Sequence, residues 1–179
     1  MSNLDGTVAP KKAQPTGSFF GNEVVARRAL RRALPGIESQ VSDPQVCGSG
    51  FLHIVMMDPG LGPGDVDFEQ AILAEHSVGD RSRWDADYAA FARAKARLSW
   101  TCGLDGQAVQ TRMPHRLREG DTLLWGAICL DGIVIGVSGA HPWYDEAFAL
   151  AIAGWFRAEA KRAAAEAGAA GVLFTDAAG

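Results

Sequence analysis

The sequence is short of cysteine, of unbroken apolar runs and of basic charge, and each shortage excludes something. Its three cysteines, Cys47, Cys102 and Cys129, are far apart and odd in number. No Cys-x-x-Cys pair or Cys/His cluster occurs, so no metal site is expected and the thiols read as small hydrophobes in a reducing compartment. No apolar run approaches the roughly 18 residues of a membrane span. The first twenty residues lack the apolar segment of a secretory signal. A cytoplasmic protein with no membrane partner is the expectation. The net charge is -4, and nucleic-acid binding favours a basic surface, so no nucleic-acid partner is expected. Neither Gly-x-Gly-x-x-Gly nor Gly-x4-Gly-Lys-Ser/Thr is present, which removes the common nucleotide-binding loops.

What is present is an ordinary globular composition. Of the 179 residues, 47% are apolar and 21% charged, enough for one domain with a real core. Residues 1–20 are rich in Pro, Gly, Lys and polar side chains and read as a flexible tail. Residues 21–179 then form a single domain.

Asn22 is placed to cap a helix whose apolar stripe includes Val25, Ala29 and Leu30, and Pro35-Gly36 is expected to end it. Its arginines, Arg27, Arg28, Arg31 and Arg32, read as a solvated face, with a phosphate role as the alternative. "GFLHIVMMD" is a strand, with His53 as a satisfied core histidine. "FEQAILAEHS" reads as its hairpin partner. "DADYAAFARAKARLSWTCG" is a helix from Asp85 or Asp87 to Gly103, with Tyr88, Phe91, Ala94 (or Lys95) and Leu98 on its inner face. "QAVQTRMPHRLREGD" is irregular. "TLLWGAICLDGIVIGVSGA" is two strands joined at Asp131-Gly132, a turn that needs positive φ. Pro142 opens a last helix running to about Gly168, with Asp145 and Glu146 in its first turn. "VLFTDAAG" is a short strand or a frayed end. The order of elements predicts an α+β sandwich: an antiparallel sheet with helices packed on its faces.

The residues Gly126, Asp131-Gly132, Gly136-Val137-Ser138-Gly139 and Asp145-Glu146 resemble the GlcG/HbpS-like family, haem-binding or haem-degrading domains also found at the end of PduO-type cobalamin adenosyltransferases. Lys95-Ala96 is similar to a Lys-Ala pair in that family's central helix. The resemblance spans roughly residues 22–168. It implies a profilin-like fold, self-association into dimers or larger homo-oligomers, and haem as a candidate cofactor. It also directs attention to Lys95.

The candidate site lies around "SGAHPWYDE". Ser138 and Gly139 end a strand before a helix start, an arrangement suited to an anion, although Asp145 and Glu146 could themselves cap that helix. His141, Asp145 and Glu146 are the candidate acid–base groups. His76 could reach a pocket rim. Arg112, His115 and Arg116 could hold an acidic substrate or tetrapyrrole propionates. Trp125 and Trp143 flank the glycine-rich hairpin and could line an aromatic pocket. The leading expectation is a small-molecule-binding protein whose ligand is acidic, aromatic or haem. The alternatives are a small catabolic isomerase or hydrolase acting on an unsaturated acid, with Arg112 or Arg116 as its clamp, and a structural subunit.

Overall fold

The computed structural model describes residues 16–170. Four helices, α1 (Glu23–Val41), α2 (Tyr88–Cys102), α3 (Gly106–Arg112) and α4 (Pro142–Ala169), accompany four strands, β1 (Leu52–Met57), β2 (Ile72–Val78), β3 (Ala127–Leu130) and β4 (Ile133–Ser138). The strands form one antiparallel sheet in the order β2-β1-β4-β3. This is the expected α+β sandwich, in three layers.

The layers follow from strand alternation, which sends successive side chains to opposite faces. Leu52, Ile54 and Met56 of β1 and Ile133, Ile135 and Val137 of β4 join Ala26, Ala29 and Leu30 of α1 and Ile152 and Phe156 of α4 in one core. Val55, Met57 and Val134 meet Ala92 and Ala96 of α2 on the other face. Here α2 lies so close to β4 that a Cβ at Gly136 would come within 2.6 Å of the Ala92 carbonyl oxygen and 2.8 Å of the Ala96 Cβ. The helix contributes alanines and the strand a glycine, and only that combination permits this spacing.

Asn22 caps α1 as expected, accepting from the amides of Val24 and Val25. The helix does not stop at Pro35-Gly36. It runs through Pro35 to Val41, burying Ile37 and Val41 in the first core. A proline inside a helix costs about 3 kcal/mol, and burying two branched side chains at about 1.5–3 kcal/mol each offsets it. The first residues of "FEQAILAEHS" form a 3₁₀ turn, Phe68–Ala71, and only the remainder is strand. On α2, Tyr88, Lys95 and Leu98 are buried, but Phe91 is 40% exposed and Ala92 and Ala96 take the inner face. Part of the irregular segment is α3. Residues 122–126 are not strand, and β3 begins at Ala127. The β3–β4 turn has Asp131 and Gly132 at φ 52° and 84°, as its sequence requires.

The last part of the expected tail is tied down: the Ser18 amide donates to the Asp58 carboxylate at 2.8 Å. Residues 172–179, with the final strand read there, lie outside the described residues. Among the described residues no helix is long and apolar enough to cross a membrane.

Candidate functional site

The backbone at the head of α4 is fixed by His141-Pro142. His141 is extended (φ -63°, ψ 147°), as the steric demand of a following proline dictates. Its side chain caps nothing. The ring stacks on Trp143, with centroids 5.3 Å apart and planes 19° from parallel. Trp125 approaches the same indole, at 6.4 Å.

Asp145 and Glu146 do not act as a pair of helix caps. At about 100° per residue, neighbours on a helix face different ways. Asp145 turns into the interior and is 1% exposed. It accepts from Lys95 Nζ at 2.8 Å, from the Ala140 amide at 3.0 Å and from the Gly139 amide. Lys95 is also buried, and donates to the Val137 carbonyl at 3.0 Å and Ser138 Oγ at 3.2 Å. An ammonium has three donors, and all three are used. Lys95, Ser138, Gly139 and Asp145 therefore meet, but as a closed clamp joining α2, the end of β4 and α4. Gly126, at φ 133°, fits beneath it: a Cβ there would lie 2.7 Å from that of Asp145. Burial pushes the Asp145 carboxyl up to about 6, with Lys95 pulling in the opposite direction. Ser138 Oγ accepts from the Lys95 ammonium in the interior, and that ammonium is held by the Asp145 carboxylate.

Glu146 turns outward into a cavity of about 290 Å³ between β3 and α4. The other lining residues are Asp105, Ile128, Cys129, Leu130, Trp143, Ala147 and Leu150. Glu146 Oε1 is buried and has no hydrogen-bond partner among the described residues. Burial pushes the Glu146 carboxyl up, the charges of Asp105 and Asp145 add to this, and Lys95 opposes it. Asp105 is held by the backbone, accepting from the Cys129 amide at 2.7 Å on the open edge of β3. The Cys129 thiol is raised, first by burial and then by Asp105 and Asp131. Sequence reasoning missed Asp105, Cys129 and Leu150. Asp105 carried one available signal, as a helix-capping residue type placed just before α3.

The remaining candidates do not converge here. His76 is on β2, at the opposite edge of the sheet from β3. Arg112, His115 and Arg116 are exposed on α3 and the 3₁₀ turn after it, and line none of the described pockets. The acid–base arrangement expected of an enzyme, with His141, Asp145 and Glu146 facing an arginine clamp, is thus not assembled: the three point to an aromatic stack, the interior and the cavity. Haem does not fit the cavity either. No imidazole lines it, and two carboxylates stand where propionates would need cations.

His53 is the satisfied core histidine expected, 4% exposed, with Ser77 Oγ at 2.9 Å from one ring nitrogen and Glu75 Oε1 at 3.2 Å from the other. A larger groove, about 510 Å³, runs along α2. Its Arg93 and Arg97 are already paired with Glu75 and Glu69, so it reads as a solvated, charge-balanced face. No family model and no curated protein matches the chain.

Proposed function

We propose that the protein binds a small molecule that joins an aromatic or aliphatic body to a basic group, in the cavity between β3 and α4. The observation that carries this reading is the unpartnered, buried Oε1 of Glu146. Leaving such an acceptor unpaired costs about 1–3 kcal/mol, and a ligand donor removes that cost. Two carboxylates and no cation line the cavity, so a protonated amine is its complement and an acidic ligand meets like charge. Trp143, 56% exposed, offers a ring face for stacking or for the cation itself. Ile128, Leu130 and Leu150 supply the apolar wall. The acidic ligand expected from the sequence drew on the helix start after Ser138-Gly139, where the Ala140 amide is taken by Asp145, and on Arg112, His115 and Arg116, which do not line this cavity.

Self-association belongs to the same reading. Leu123 (72% exposed) and Leu124 are apolar and exposed just before the edge strand β3. A second copy packed on these leucines would remove them from water.

Two indoles provide a direct test. Tryptamine and indole-3-acetate share a ring and differ in the sign of their charge. Tryptamine should bind saturably in calorimetric titration, and indole-3-acetate should not. Equal binding of both, or binding of the acid alone, would contradict the reading.

A further inference from the structure

A second cavity, about 390 Å³, lies between α1 and α4 and is lined only by Arg28, Arg31, Arg32, Arg162 and Glu159. Four guanidinium groups face one carboxylate there, in a chain whose net charge is -4. Charge balance gives no reason for this concentration. Arg28, Arg31 and Arg32 are spaced i, i+3 and i+4, which places them on one helix face, where like charges repel.

The arginines are not equivalent. Arg162 is fully engaged, with Glu159 on one side and Glu166 on the other. Arg32 is oriented but not consumed. Its Nε donates to Glu159, whose side chain is only 4% exposed, and its guanidinium lies 5.5 Å from the Trp155 ring centroid. Its two terminal amino groups keep their donors. Among the described residues, Arg28 and Arg31 have no hydrogen-bond or ion-pair partner. The cavity thus holds one pre-oriented guanidinium and two unengaged ones beside it. A guanidinium fork binds two phosphate oxygens at once. Three guanidinium charges exceed the roughly -1.5 to -2 of one phosphoryl group, and two linked phosphoryl groups balance them more closely.

We infer that the Arg28–Arg31–Arg32 cavity is an anion site for the diphosphate moiety of a soluble metabolite. The site is separate from the Glu146 cavity and opposite to it in charge, so the two bind different ligand chemistry. Glu159 acts as its positioning residue, with one carboxylate oxygen on Arg32 and the other on Arg162.

The test is calorimetric titration of the full chain with inorganic pyrophosphate at low ionic strength. Saturable binding is expected, weakened at least tenfold in Arg28→Gln/Arg31→Gln and unchanged in Arg112→Gln/Arg116→Gln, which removes the same charge elsewhere. Circular dichroism establishes that the variants are folded, and Arg31→Gln alone, at an exposed position, serves if the double variant is not. No saturable binding would overturn the inference, as would equal loss in the two double variants. Binding to phosphatidylglycerol vesicles without binding to pyrophosphate would also overturn it, by assigning the arginines to a lipid surface.

Discussion

Lys95 Nζ and Asp145 Oδ2 lie 2.8 Å apart in the interior, with 5% and 1% of their side chains exposed. The pair joins the middle of α2 to the first turn of α4, across the end of β4. Its donors and acceptors are satisfied locally, so it holds the backbone from which the neighbouring Glu146 projects.

Removing one member should therefore be worse than removing both. A buried charge deprived of its partner costs about 3–5 kcal/mol, while replacing both partners by apolar groups is often close to neutral. Lys95→Met and Asp145→Leu should each lower stability by that order in urea titrations, and the double variant should recover much of the loss. Additive losses would mean that the two side chains act independently.

The same pair sets a pH dependence. The folded Asp145 carboxyl titrates at about 6, above its ordinary value of 3.8. Between those values the native state holds the proton more tightly than the unfolded chain. The stabilisation from this group is complete below about pH 4 and is lost as the pH rises through about 6, by at most about 3 kcal/mol. Asp145→Asn cannot titrate. The stability of the natural protein relative to this variant should fall from pH 4 to pH 6.5 and then level off; a rising difference would reverse the assignment.

Self-association should depend on the exposed leucines before β3. Leu123 and Leu124 are 72% and 47% exposed, and β3 leaves an open sheet edge beside them. Leu123→Asp/Leu124→Asp should shift the mass measured by light scattering toward one chain, with an unchanged circular dichroism spectrum. An oligomer that survives the substitution would move the interface elsewhere.

The sandwich was legible in the sequence because its signals are local. Asp131-Gly132 dictates its turn, Asn22 and Gly103 mark helix ends, and the apolar spacing separates strands from helices. The end of α1 was not legible, because Pro35-Gly36 is a strong local stop that the burial of Ile37 and Val41 overrides. Positions 145 and 146 were visible as a helix start, but which carboxylate entered the interior depended on Lys95, fifty residues earlier in the chain. Asp105 meets the Cys129 amide only through the packing of α3 on the sheet edge. Arg112, His115 and Arg116 formed a cluster in sequence, and chain proximity alone brought no cavity to them.

Glu146 is the proposed polar contact of a cavity for basic ligands. The most direct measurement is the affinity of tryptamine for the natural protein and for Glu146→Gln, titrated at pH 5 and pH 8. Because burial raises the Glu146 carboxyl, it keeps its proton to higher pH than a free carboxyl, and binding should be tighter at pH 8 than at pH 5. Glu146→Gln should weaken binding at least tenfold at pH 8 and remove the pH difference, in keeping with the roughly 1.5–3 kcal/mol of a charged hydrogen bond. Equal affinity in the two proteins at both pH values would contradict the account.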